Sequence, residues 1–130
     1  MNSNFHYIVR GIIRDGDFVL LCKQKTGDYT FLPGGHIDFG EAAEVALIRE
    51  IKEEIGAKVS VGEFRGAIEN AWEDNCEISL VFNVEHDLRK ENTPTPASPE
   101  EEHLAFLWVH QDALQQSNLY PVPLIEWLQG

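Results

Sequence analysis

Residues 35–57 read Gly35-His36-Ile37-Asp38-Phe39-Gly40-Glu41-Ala42-Ala43-Glu44-Val45-Ala46-Leu47-Ile48-Arg49-Glu50-Ile51-Lys52-Glu53-Glu54-Ile55-Gly56-Ala57. The spacing of Leu47, Ile48, Ile51 and Ile55 predicts an amphipathic helix over about 42–55, stopped by Gly56, a good C-cap residue. At about 100° of rotation per residue, Glu53 and Glu54 flank Glu50 within about 60° of it. Carboxylates so placed repel one another, at a cost of roughly a few tenths of a kcal/mol to the helix. A folded chain that keeps such a cluster commonly offers it a cation, and hard oxygen donors suit magnesium or manganese.

On the same helical wheel the buried stripe is Leu47, Ile48, Ile51 and Ile55. Glu44 projects to the apolar side in the first turn, where a carboxylate favours the helix dipole. Ala43 and Ala46 stand above Glu50, which leaves room for a bulky polyanion. The preceding Gly34-Gly35 lets backbone come close to a ligand, and a carbonyl from such a loop can complete a metal site. Arg49 adjoins Glu50 and reaches Glu53 at i+4, a position from which it orients the carboxylates. Singly, each feature is ordinary: acidic helix faces are usually solvated and Gly-Gly usually marks a plain turn. The combined spacing is what points to a metal site.

Working outward, residues 7–14 and 17–23 read as a β-hairpin about Asp15-Gly16. Phe31-Leu32 is a short extended piece that ends at Pro33-Gly34-Gly35. Residues 59–68 form a strand broken by Gly62 and Gly66. Residues 77–85 alternate, with Ile78, Leu80, Phe82 and Val84 on one face and Glu77, Ser79, Asn83 and Glu85 mostly on the other. The Pro-rich interval 87–102 is long for a loop, a trait of functional or disordered segments. A last strand spans 104–109. Asp112 caps a short helix over 112–116, and a C-terminal helix covers 123–128 with Pro123 in its first turn. With no repeat and no linker, residues 1–130 are expected to form one α+β domain, a sandwich around a mixed sheet.

A chain of 130 residues is long enough for a real core, and 43% hydrophobic content is ordinary for a globular protein. No apolar run approaches the roughly 20 residues needed to span a bilayer. The N-terminal residues lack the basic and apolar segments of a secretory signal. Cys22 and Cys76 form neither a disulfide framework nor a zinc pattern, so they read as free thiols in a reducing cytoplasm. The net charge of −12 argues against binding duplex nucleic acid through a basic surface. It leaves room for a small phosphorylated ligand, because a bound metal reverses the local sign.

Gly35, Glu41 and Arg49-Glu50-Ile51-Lys52-Glu53-Glu54-Ile55-Gly56-Ala57 together resemble the Nudix box, G-x5-E-x7-R-E-U-x-E-E-x-G-U, where U is a bulky aliphatic. Every fixed glycine, glutamate and arginine is present. Ala57 departs from the pattern, being smaller than the usual Ile, Leu or Val. The flanking strands, the chain length and Trp108-Val109 are similar to the MutT-like branch. The resemblance implies the Nudix fold, an α/β/α sandwich around a mixed β-sheet. It also implies metal-dependent hydrolysis of a phosphoanhydride in a nucleoside diphosphate linked to a group X. It places magnesium, with manganese as the alternative, on Glu50, Glu54 and the Gly35 carbonyl, with Glu53 assisting a further ion. Glu41 and Arg49 would support the loop–helix geometry. The general base stays open between Glu53 and Glu102, with Glu100 and Glu101 as rivals. Small members of the family are often dimers, so a homodimer is one open state of assembly.

Recognition of the substrate is read from scattered residues. Lys23 and Lys25 are placed to contact phosphates, Phe31 and Trp72 to stack a base or ribose, and Asn118 to bond a base edge. Against these stand plainer readings: surface lysines, packed aromatics and a turn asparagine. His36 is read as a loop residue rather than a metal ligand. Trp72 stands 15 residues past the box, where many ADP-ribose hydrolases carry proline, and the Ser-Gln-Pro-Trp-Pro-Phe stretch of the NADH type is missing. The favoured activity is therefore a MutT-like (d)NTP pyrophosphohydrolase releasing NMP and pyrophosphate. The alternatives are an ADP-ribose or other nucleoside diphosphate sugar pyrophosphatase, and a non-catalytic nucleotide-binding module.

Overall fold

The computed structural model describes residues 3–129. In chain order the elements are β1 (Asn4–Ile12), β2 (Arg14–Asp15), β3 (Phe18–Gln24), β4 (Gly34–His36), α1 (Ala43–Ile55), β5 (Ser60–Trp72), β6 (Asn75–Glu85), β7 (Leu104–His110) and α2 (Pro123–Gln129). One sheet has the order β4-β1-β6-β5 and the other β2-β3-β7. In the first, β1 runs parallel to β6 and the remaining pairs are antiparallel, so the sheet is mixed. Leu47 and Ile51 of α1 pack into one apolar core with Val9, Phe82, Val84 and Phe106. Leu124 and Leu128 of α2 pack into a second with Ile12, Leu21, Ile68 and Val81. The helices thus cover opposite sides of the sheets, an α/β/α sandwich.

The expected hairpin is reduced to a stub. β2 pairs with the start of β3 across Asp15-Gly16, whereas β1 leaves to pair with β4 and β6. Apolar strand residues suit either arrangement, and nothing local to β1 specifies a parallel partner some 70 residues further on. Gly62 and Gly66 do not break β5. The strand continues through register shifts between Val61 and Phe64 and between Phe64 and Gly66, which are bulges.

α1 is rotated from the expected stripe. Its buried residues are Ala46, Leu47, Ile51 and Glu54, while Ile48 is 37% exposed and Glu44 faces solvent. The two alanines are packing surface, not an open shelf for a polyanion: Ala46 is fully buried and Ala43 packs on the core. Such small residues let the helix lie close to β1, where Leu47 and Ile51 close over Gly11. At its end Gly56 takes a left-handed conformation and donates its N–H to the Lys52 carbonyl.

β6 shows the second departure. Leu80, Phe82 and Val84 pack on the α1 core as their alternation indicates. Glu77 and Ser79, on the opposite face, are buried at 8% and 1% exposure rather than solvated. β6 is an inner strand covered on both sides, so polar residues on its second face have no solvent to meet. The helix expected over 112–116 is replaced by two 3₁₀ turns, Gln111–Ala113 and Gln115–Ser117, and the capping acceptor is the His110 ring rather than Asp112. The Pro-rich interval is tied to α1 by the Ala97 N–H, which donates to the Glu54 carbonyl at 2.9 Å, and it ends in a 3₁₀ turn at Pro99–Glu101. Cys22 is buried and Cys76 exposed, both as free thiols. Among the described residues no helix is long and apolar enough to cross a membrane.

Candidate functional site

Arg49 is the hub of the acidic cradle. Its Nε and Nη2 each donate to Glu41 at 2.9 Å, a bidentate pair. Nη1 donates to Glu50 at 3.0 Å and to Glu53 at 3.3 Å, and Nη2 also reaches the His36 carbonyl at 3.1 Å. Glu41 in turn accepts the Asp38 N–H at 3.0 Å. One guanidinium therefore locks the loop after β4 to two carboxylates of α1. The Arg49 hydrogen bond, followed by that of Asp38, pulls the Glu41 carboxyl down to about 2. Arg49 is held above its ordinary range, chiefly by Glu41.

The inner carboxylates are in the opposite condition. Glu54 is 4% exposed, and its Oε1 accepts the Gly34 N–H at 3.1 Å. Burial, and then the charge of Glu50, push its carboxyl up to about 8, against the weaker pull of Arg10 and the Gly34 amide. Glu50 is also raised, by burial first, with Arg49 opposing. Strand β4 stands directly on it: a Cβ on Gly35 would lie 2.5 Å from the Glu50 carboxyl carbon, so any larger residue there displaces that carboxylate.

The docked loop brings one more acid. Glu101 lines an open cleft of about 790 Å³ beside α1 together with Arg49, Lys52 and Glu53. Its charge also acts on Glu50 and Glu54, raising both. Glu102, the loop glutamate singled out from sequence, is exposed and lies outside that lining. Among the described residues no three acidic, histidine or cysteine side chains already converge on one point as a metal centre. Glu50 is instead turned toward Arg49. Even so, the donor set is all oxygen, partly desolvated and richer in carboxylates than in cations, which fits a hard divalent ion.

The sheet face turned away from α1 opens into a cavity of about 800 Å³. Arg10, Glu77, Asn70 and Trp72 reach it from β1, β6 and β5, and Tyr29, Phe31, Asn118 and Tyr120 from the loops opposite. Three of the sequence candidates, Phe31, Trp72 and Asn118, thus come together. Lys23 does not line the cavity; it sits half-buried on β3, opposite Ala105. Arg10 lies over the Phe31 ring, 5.3 Å from its centre. Trp72 stacks on His6 at 5.7 Å with 11° between the rings. His6 is fixed by Asn75 at 2.8 Å and by His36 at 3.0 Å, so His36 is a strand residue bonded to a neighbour rather than a free loop residue. Asn118 is left-handed and donates its amide to the Asp28 carbonyl at 2.9 Å, clamping a turn.

Sequence reasoning missed Arg10, Glu77, Tyr29 and Tyr120. For Arg10 there was a signal: a lone cation in the run Ile8-Val9-Arg10-Gly11-Ile12-Ile13 has to be buried with something.

A NUDIX domain model matches residues 4–128. The chain belongs to the Nudix family. A MutT-like protein of Streptomyces ambofaciens is 28% identical over 125 residues, 94% of this chain and 76% of that one. An ADP-ribose pyrophosphatase of Methanocaldococcus jannaschii is 38% identical over 79 residues, 57% of this chain and 47% of its own length. Among solved structures, a MutT protein from Methanosarcina mazei Go1 superposes with a TM-score of 0.79 at 20% identity, over 99% of this chain and 94% of that one. This Nudix chain is a pyrophosphohydrolase of the MutT-like branch. Nudix hydrolases act on small molecules and generally use divalent metal ions.

Proposed function

We propose that this Nudix enzyme hydrolyses (d)NTPs to NMP and pyrophosphate, with magnesium as its metal and manganese as a substitute. The supporting observation is the carboxylate-rich cradle of α1 beside a cavity walled by aromatic rings, with Arg10 linking the two. Arg10 lines the cavity, and its strand neighbour Gly34 donates the N–H that anchors Glu54.

Glu50, Glu54 and the Gly35 carbonyl would hold the metal, with Glu53 serving a further ion. When bound, such ions neutralise charge on the phosphoanhydride and acidify water. The chain's own residues do the rest. Arg49 fixes the direction of Glu50 and Glu53. Glu53, whose side chain is 50% exposed on the cleft, takes the proton of the attacking water, which is worth about 10²–10⁴-fold. Glu101 on the opposite wall is the rival base. Water adds to one phosphorus of the α–β anhydride and the bridging oxygen leaves with the other phosphoryl group, giving NMP and pyrophosphate. Trp72 and Phe31 contact the nucleoside, and Asn118 shapes the turn that brings Tyr120 to the same wall. The same reading includes a single domain over residues 1–130 and a cytoplasmic setting for the free thiols.

A second reading, hydrolysis of ADP-ribose or another nucleoside diphosphate sugar, is favoured by the 38% identity to the Methanocaldococcus enzyme. A panel of dNTPs, ADP-ribose and UDP-sugars in magnesium, with products identified, decides between them. The proposal expects NMP and pyrophosphate from triphosphates. Turnover of the sugars alone would replace it with the second reading.

A further inference from the structure

A short run of side chains joins the cavity to the acidic cradle. Trp72 and Asn75 face each other across the turn between β5 and β6, where Glu73 takes a left-handed conformation. His6 of β1 grips both. Its ring stacks on Trp72 at 5.7 Å with 11° between the planes. Trp72 lines the cavity and His6 does not, so the indole is held from outside.

Both nitrogens of His6 are engaged. Nε2 lies 2.8 Å from Asn75 Oδ1. An amide oxygen only accepts, so the proton of the neutral ring sits on Nε2 and Nδ1 is left as an acceptor. His36 Nε2–H donates to that acceptor at 3.0 Å. Asn75, His6 and His36 thus form a chain of hydrogen bonds with one polarity. His6 is half-buried and His36 exposed, so water could serve either ring. Bonding to each other adds order more than stability.

His36 directly follows Gly35, whose carbonyl the reading above gives to the metal. A peptide unit is planar, so a residue held at its ring and its backbone fixes the direction of the carbonyl before it. His36 is held by its ladder partner Ile8, by Arg49 Nη2 on its carbonyl at 3.1 Å, and by His6 on its ring.

Resting on the nucleotide reading of the cavity and the metal reading of the cradle, we infer that His6 is a positioning residue that couples the two. A nucleoside pressed on Trp72 orders His6, His6 orders His36, and the Gly35 carbonyl is steadied for the metal. The shared side chains are ordered once for both ligands, so nucleoside and metal bind with positive cooperativity, and the effect is reciprocal. His6 itself touches neither.

The test measures Mn²⁺ binding by electron paramagnetic resonance, with and without each of the four deoxynucleosides. A nucleoside has no phosphate, so it cannot reach the metal itself, and the measurement needs no turnover. On the wild-type chain at least one nucleoside should tighten Mn²⁺ binding about threefold to tenfold, the range of one net hydrogen bond. Two variants separate the halves of the device. His6→Phe keeps a flat ring against Trp72 and loses both hydrogen bonds. It should weaken Mn²⁺ binding in the nucleoside-free chain and abolish the linkage, with KM for triphosphate within about twofold of wild type. His6→Gln keeps one donor and one acceptor and loses the ring. It should leave nucleoside-free Mn²⁺ binding unchanged and raise KM about threefold to tenfold, the range of one aromatic pair. Asn75→Ala, which frees the far nitrogen of His6, replaces His6→Phe in the comparison if that variant does not fold, and should weaken the linkage.

Triphosphate turnover on a wild-type chain whose Mn²⁺ affinity no nucleoside changes would overturn the inference and leave the hydrolase proposal standing. Linkage intact in His6→Phe, or the same losses of KM and kcat in both His6 variants, would also overturn it and make His6 a packing residue. Linkage present in the wild type and absent in His6→Phe, with no triphosphate hydrolysed, would keep the coupling and sink the proposed reaction.

Discussion

The two faces of the β1–β6 pair are both covered, but only one of them carries charged groups beside its apolar ones. Toward α1 stand Val9, Leu80, Phe82 and Val84, which join the core of Leu47 and Ile51. Away from α1 the same strands carry His6, Arg10, Glu77 and Ser79 beside Ile12 and Val81, which join the core under α2. Burial on the first face stabilises the fold, because apolar area leaves water. On the second the apolar residues contribute likewise, but burial of Glu77 costs free energy, because its charge loses solvent and gains few partners. The polar end of the second face, beyond its apolar residues Ile12 and Val81, is the part left with hydrogen bonds to give.

That contrast can be broken or sharpened by substitution. The largest effect is expected at the acidic cradle: Glu50→Gln and Glu54→Gln should each lower kcat by about 10³-fold, as loss of preorganised charge at a reacting phosphate does. Circular dichroism should stay native, and wild-type turnover in either variant would remove these residues from the site. Next, Phe82→Ala on the apolar face should cost about 3–5 kcal/mol in urea unfolding. Glu77→Gln on the polar face should cost less than about 1 kcal/mol, since an amide still accepts from Ser79. Equal costs would erase the distinction between the faces.

Arg49→Lys comes third, at about 10–100-fold in kcat with KM little changed, because ammonium cannot keep the fork to Glu41 while reaching Glu50. Arg49→Ala should be worse than Lys; if the two were equal, the fork would have no positioning role.

Fourth is a pH effect on the metal-free chain. Glu54 titrates near 8 when folded and near 4.5 otherwise. Between those values the folded chain holds a proton that the unfolded chain has released. This contribution to stability is full below about pH 4.5 and is lost as pH rises to about 8, on the order of 1 kcal/mol per pH unit. Thermal melts across that window should show the fall, and Glu54→Gln should flatten it. Smallest is Ile48→Ala, within about 0.5 kcal/mol, where Ile51→Ala should cost about 2–5. This pair checks the rotation of α1.

How far the sequence revealed these faces follows from what each depends on. The carboxylates, Arg49, Gly35 and Gly56 lie within 22 residues, and a single helical period is enough to group them. Leu80, Phe82 and Val84 were legible for the same local reason. Alternation alone places Glu77 on a solvent face, because it reports polarity, and polarity implies exposure only on a strand with one open face. Ile48 and Ala46 exchanged places because the helix rotates to seat Glu54 against Gly34, a contact between separate segments. The cavity draws residues from five parts of the chain, so no window of sequence contained it. Glu101 rather than Glu102 lines the cleft through the register of a Pro-rich turn, which periodicity does not describe.

The parallel pairing of β1 with β6 also sets an order of events during synthesis. Arg10 is made early, but Glu77 and its strand follow only after the whole of α1 and β5. Until about two-thirds of the chain has left the ribosome, the apolar edge of β1 has its long neighbour missing, and such non-local pairing is slow to form. A nascent chain stalled before residue 75 would own Glu41, Glu50, Glu53 and Glu54 but nothing of β6, leaving β1 an orphan edge for holding chaperones to shield.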